Sequence, residues 1–281
     1  MREINVDDVT KIVASMFEHS CHYLPEDVLA ALKKAGEKEE SPVSRDVLDR
    51  ILENVEIAGK EQIPLCQDTG LSIVWLELGQ EVHITGGDLY AAVNEGVRQG
   101  YANGYLRKSV VTQPFSARVN TKDNTPADIW TEVVPGNKLK ITVMPKGGGS
   151  ENMSRLTVLS PSQGRQGIID FVVNRVDESG SNPCPPVIVG VGIGGTTEKT
   201  MMLAKKALLR KVGEPSPDPE IAELEKEILR RINNLGIGAM GYGGTVTALA
   251  VHAETFPCHI ASMPVAVNMQ CWCSRHEEAI L

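Results

Sequence analysis

Apolar positions recur at helical spacing through the first sixty residues. Val9, Ile12, Val13, Met16 and Phe17 form one stripe, Pro25 opens a second helix at PEDVLAALKKAG, and Val47, Leu48, Ile51, Leu52 and Val55 mark a third. The spacing predicts a helical layer over residues 1–60 that covers something else. Beyond residue 64 the pattern changes. LSIVWLELG (71–79) is a short β-rich run, and GDLYAAVNEGVRQGYANG (87–104) returns to helix. WTEVVPGNKLKITVMP (130–145) has two β-rich runs around Pro135, Gly136 and Asn137, which predicts a hairpin. PPVIVGVGIGG (185–195) reads as a buried strand running into glycines, and TTEKTMMLAKKALLR (196–210) as the helix that follows. Ile221, Leu224, Ile228, Ile232 and Leu235 stripe a further helix. No low-complexity linker and no internal repeat interrupts the chain. The expected fold is one mixed α/β domain over 1–281, an N-terminal helical layer packed on a mixed α/β body.

Composition narrows the function classes. A chain of 281 residues with 42% hydrophobic content can bury a sizeable core. Its 36 acidic against 28 basic residues give a formal net charge of -8, which argues against a general nucleic-acid binder and leaves room for a local basic pocket. No stretch has the form of a secretory signal or the length of a membrane span, so the expected location is cytoplasmic, with no membrane partner. The six cysteines, at 21, 66, 184, 258, 271 and 273, are too few for a disulfide scaffold. Reduced thiols are the expectation. Without a CxxC, any metal site must be assembled from distant segments.

Gly190, Gly192 and Gly195 match the spacing of a dinucleotide fingerprint. The fingerprint also needs a second strand ending in an acid, whereas the helix here runs into a proline-broken loop that holds Glu214. A nicotinamide oxidoreductase therefore ranks low. Close backbone packing, or amides at a helix N-terminus, explains the glycines better.

Taken singly, each cysteine reads best as a small buried residue, and KGGGSENMS (146–154) as a turn. Together they say more. Cys66 in PLCQDTG, Cys184 in SNPCPPVIVG and Cys271 near the end of the chain each sit at a loop or element end beside glycine, proline or polar residues. Three such thiolates could hold a zinc or a cubane iron-sulfur cluster with one iron unligated by protein, and spacing does not choose between them.

CQDTG (66–70), KGGGSENMS (146–154), NPCPPVIVGVGIGGTTEKTMMLAKKALLR (182–210) and PCHIASMPVAVNMQCW (257–272), in this order, resemble the α half of class I fumarate hydratases. That iron-sulfur hydro-lyase family also contains L(+)-tartrate dehydratase, and the resemblance covers nearly the whole chain. It implies a [4Fe-4S] cluster on Cys66, Cys184 and Cys271, with one iron left open for substrate. It implies Asp68 as proton donor to the leaving hydroxyl and Gln67 as a substrate contact. Arg107 corresponds to an arginine that binds a substrate carboxylate, Gly148 to a backbone contact with substrate, and His259 to a histidine near the bound dicarboxylate, counted with the catalytic set. CWC offers Cys273 as a second candidate two residues from Cys271, and the family motif favours Cys271.

No residue here matches the family's carbon base, which lies in a second half that single-chain members carry C-terminally. The expectation is therefore an α subunit completed by a separate β subunit in a homo- or hetero-oligomer, acting on fumarate and (S)-malate. The alternatives are an L(+)-tartrate dehydratase α subunit and, less well supported, a non-catalytic metal-binding module.

Overall fold

A computed structural model describes all 281 residues. In chain order the elements begin with strand β1 (Arg2–Asn5), helices α1 (Val6–His22), α2 (Glu26–Lys38) and α3 (Pro42–Glu61), strands β2 (Leu71–Gly79) and β3 (Val82–Thr85), helix α4 (Leu89–Asn103), and strands β4 (Asp128–Val134) and β5 (Leu139–Lys146). They continue with α5 (Gly148–Glu151), β6 (Arg155–Leu159), α6 (Gly164–Ser179), β7 (Val187–Gly194), α7 (Thr197–Ala207) and α8 (Pro219–Asn233). Strands β8 (Ala248–Phe256), β9 (Met263–Gln270) and β10 (Glu277–Ile280) complete the chain. The protein is mixed α/β, and the three N-terminal helices form where the apolar stripes place them. No helix is long and apolar enough to cross a membrane. The chain divides into two compact units, one of Met1–Pro25, Asn54–Gly148 and Arg275–Leu281, the other of Glu26–Glu53 and Gly149–Ser274.

In the first unit a four-stranded sheet has the order β10-β5-β2-β4. Its core joins Val9, Val13, Met16 and Phe17 of α1 to Val93, Val97 and Tyr101 of α4 and to Val74, Leu76, Ile141 and Val143 of the sheet. Each large apolar side chain so buried contributes about 1.5–3 kcal/mol. Helices α1 and α4 cross closely because Gly96 and Gly100 lie between them: a Cβ at either would come within 2.7 Å of Val13 Cβ or Ala14 O.

The expected hairpin at 130–145 does not form. Both runs are strands, but β2 lies between them, parallel to β4 and antiparallel to β5. Strand β2 is buried along most of its length and needs a partner on each side. The connection from β4 to β5 instead crosses the end of β2, where Gly79 N donates to Lys138 O at 2.8 Å and Glu81 N to Gly136 O at 2.9 Å. Gly79 makes that crossing possible, since a Cβ there would lie 2.5 Å from Gly136 O.

In the second unit the sheet order is β6-β9-β7-β8, with β7 parallel to β8 and antiparallel to β9. Helices α6 and α8 place Ile169, Val172, Ile228 and Ile232 against Val189, Val191, Val265 and Val267 of one core. Helix α7 also lies on β7, and here the fingerprint-like glycines have their explanation. A Cβ on Gly190 or Gly192 would stand 2.0 Å from the carbonyl oxygen of Ala204 or Thr200, so the α7 backbone rests directly on the strand. A Gly190→Ala exchange must push α7 off the sheet, and is expected to cost about 1–3 kcal/mol, the usual range for an overpacked interior. Urea unfolding of wild type and variant measures it; an unchanged midpoint would contradict the packing described.

Candidate functional site

The loop after α3 carries Cys66, Gln67 and Asp68 in the first unit, and its shape is set by backbone hydrogen bonds. Leu65 N donates to Cys21 O at 2.9 Å, Asn54 Nδ2 donates to Leu65 O at 2.9 Å, and the buried Arg275 Nη2 donates to Asp68 O at 2.6 Å. The Asp68 carboxylate is gripped at both oxygens. Oδ1 accepts from Gly70 N at 3.1 Å and Oδ2 from Gly148 N at 2.8 Å. Hydrogen bonds to a charged group are worth about 1.5–3 kcal/mol each, so these two amides hold the side chain in one pose. Gly70 (φ +77°) must be glycine, because a Cβ there would lie 2.3 Å from Lys146 O.

Two sequence-predicted residues, Asp68 and Gly148, are thus in direct contact. The Gly148 amide faces Asp68. Arg107 belongs to the same neighbourhood through its backbone, since Thr69 Oγ1 donates to Arg107 O at 3.0 Å, while its side chain is exposed and makes no ion pair. Gln67 is exposed as well, with Oε1 3.5 Å from Cys66 Sγ.

In the second unit Cys184 precedes β7 and Cys271 follows β9. Because Ile188 pairs with Gln270 in the antiparallel register, both cysteines lie at one end of the sheet, and Trp272 N donates to Cys184 O at 3.1 Å. Cys184 has φ +54°, in the left-handed region that a residue with a Cβ rarely adopts. Such a conformation costs about 1–3 kcal/mol and persists where its surroundings enforce it, here where Cys184 N donates to Ser181 O at 2.9 Å and Cys184 O accepts from Trp272 N. His259 is elsewhere. It lies on the β8–β9 loop, at the other end of β9, and the eight residues of that strand put about 23 Å between the two ends. There, exposed, it accepts at Nδ1 from Ala261 N at 3.1 Å and borders a cleft of about 420 Å³ with Thr196, Thr197, Phe256 and Cys258. His259 is therefore not gathered with Cys184 and Cys271 of its own unit.

Burial sorts the six cysteines, none of which is in a disulfide. Cys66, Cys184 and Cys271 are each partly exposed; Cys21 and Cys273 are buried, and Cys258 is exposed on the His259 loop. This distinguishes Cys271 from Cys273, the two thiols of CWC. Three accessible thiols are soft donors suited to an iron-sulfur cluster or zinc. Within either unit, no three His, Cys, Asp or Glu side chains converge to hold a single metal ion.

Thr69, Tyr101, Asn124 and Arg275 also hold this loop, and no motif in the sequence marks these contacts. Tyr101 OH lies 3.0 Å from both Thr69 O and Gly70 O, and Asn124 Nδ2 donates to Gly70 O at 3.1 Å. Their partners are 31 to 54 residues away in sequence, beyond the reach of any local pattern.

Residues 10–280 match the family described as Fumarate hydratase (Fumerase). Among similar proteins is the "Putative L(+)-tartrate dehydratase subunit alpha" of Methanocaldococcus jannaschii, 45% identical over 272 residues that cover 95% of each chain. The L(+)-tartrate dehydratase subunit alpha of Escherichia coli K12 is 32% identical over 274 residues, 96% of this chain and 89% of the relative.

Burial, partly offset by Arg275 and reinforced by Cys66, pushes the Cys21 thiol from 9.0 up to about 11. A raised value means that its contribution to stability is complete below pH about 9 and is lost as pH rises through about 11. Urea titrations at pH 8 and above pH 10 are expected to show this loss in the wild type and a smaller one in Cys21→Ala. Equal losses in both would remove Cys21 as the cause.

Proposed function

Since the chain belongs to the fumarate hydratase (Fumerase) family, we propose that it is the α subunit of a [4Fe-4S]-dependent hydro-lyase that interconverts fumarate and (S)-malate and needs a β subunit for turnover. The observation that carries this reading is the Asp68 carboxylate, fixed between two backbone amides on the loop that also presents Cys66. A second reading, L(+)-tartrate as substrate, is favoured by the names of both relatives. (S)-Malate and L(+)-tartrate are both four-carbon dicarboxylates with a hydroxyl on C2, and the same groups serve either.

Cys66, Cys184 and Cys271 would hold the cluster, and their shared partial exposure supports that set over one containing Cys21 or Cys273. When bound, the cluster supplies a Lewis-acidic iron with one coordination position open to substrate. The chain's own residues do the rest of what falls to this subunit. Arg107, exposed and without an ion pair, offers a guanidinium fork to a substrate carboxylate. Gln67 offers a neutral amide from the same loop. Asp68 gives a proton to the departing hydroxyl, which leaves as water, and in hydration takes that proton back from water. Gly148 and Gly70 aim its carboxyl group through their amides. The base that removes the carbon proton comes from the β subunit, as does the remainder of the dicarboxylate's binding site. The reduced thiols that such a cluster requires fit a cytoplasmic location.

Anaerobic co-expression with the β subunit and assay with fumarate, (S)-malate and L(+)-tartrate tests the reading. Turnover is expected only from the two-subunit protein, and Asp68→Asn is expected to lower kcat by about 10²–10⁴-fold, the range for a lost general acid. Turnover by this chain alone would rule out the need for a β subunit. An Asp68→Asn enzyme of full activity would rule out Asp68 as the acid, and the preferred substrate separates fumarate from tartrate.

A further inference from the structure

Thr69 sits between Asp68 and the left-handed Gly70, only 1% exposed, and its hydroxyl does not cap its own turn. It reaches across 38 residues to donate to Arg107 O at 3.0 Å. The other side of this tie is equally fixed. Thr69 O lies 3.0 Å from the buried Tyr101 hydroxyl, whose proton burial holds on by pushing its pKa up. Two residues beyond Arg107, Ser109 N donates to Asn124 Oδ1 at 2.7 Å, and Asn124 Nδ2 returns to Gly70 O at 3.1 Å. The backbone around Arg107 is therefore fastened to the residues directly after Asp68. The Arg107 guanidinium, exposed and without an ion pair, has no comparable restraint of its own.

Resting on the reading of Arg107 as the carboxylate contact, we propose that Thr69 is a positioning residue: its buried hydroxyl sets the spacing between Arg107 and Asp68. A valine has nearly the shape of threonine and lacks the donor, so Thr69→Val removes the tie with little change in packing. A serine keeps the donor.

The test uses the two-subunit, cluster-loaded enzyme and the variants Thr69→Val, Thr69→Ser, Arg107→Ala and the Thr69→Val/Arg107→Ala double variant. Arg107→Ala is expected to raise KM for the dicarboxylate. Thr69→Val is expected to raise KM about 3- to 10-fold, the range of one neutral hydrogen bond, with kcat much less affected. Thr69→Ser should bring KM back to within about twofold of wild type, and Thr69→Val should add nothing once Arg107 is gone. If Arg107→Ala raises KM while Thr69→Val does not, or if Thr69→Val has the same effect with and without Arg107, the positioning role is overturned and the carboxylate reading stands. If Arg107→Ala leaves KM unchanged, the carboxylate reading falls and the inference falls with it. Should Thr69→Val not fold, Thr69→Ala takes its place in the same cycle, with Thr69→Ser still the rescue.

Discussion

The Asp68 carboxylate, bonded to the amides of Gly70 and Gly148, ties the loop after α3 to the residues that follow β5. It requires two backbone segments to meet without side chains between them, and that is why glycine stands at 70. There the Lys146 carbonyl occupies the space a Cβ would need. The same approach continues as the register of β2 against β5, where Leu71 pairs with Lys146. Sheet pairing and acid placement are thus one constraint. A shift of register would carry Gly148 away from Asp68 and leave the carboxylate without half its support.

A different constraint governs the second unit. Antiparallel pairing of β7 with β9 brings the residue segments before one strand and after the other to the same sheet end, and so places Cys184 beside the Cys271 segment. The same geometry sends His259 to the far end of β9, next to the first turn of α7. Strand length, not loop flexibility, keeps them apart.

Elements with their own periodicity were legible in the sequence, and features that depend on distant partners were not. The stripe from Val9 to Phe17 and the run of apolar residues in β7 each specify an element and its buried face within a few residues. The hairpin at 130–145 was misread because a turn of proline, glycine and asparagine looks alike whether it joins neighbours or steps over a strand; β2, sixty residues earlier, decides which. Gly79 was the available signal, and its meaning depends on knowing what crosses it. At the site, Cys66, Asp68 and Gly148 were legible through the motifs that hold them. Nothing near Thr69 in sequence shows that its hydroxyl finds Arg107 O. Burial separates the two thiols of CWC independently of the motif, leaving Cys271 partly exposed and enclosing Cys273.

If the three partly exposed thiols, and not the buried ones, hold the proposed [4Fe-4S] cluster, each of the three must be required for it. Anaerobic reconstitution with iron and sulfide, followed by iron counting and EPR, tests it in wild type and in Cys66→Ser, Cys184→Ser, Cys271→Ser and Cys273→Ser. A cluster is expected in the wild type and in Cys273→Ser, and its loss in each of the other three. No cluster in the wild type, or a cluster that survives Cys271→Ser and is lost in Cys273→Ser, would contradict it.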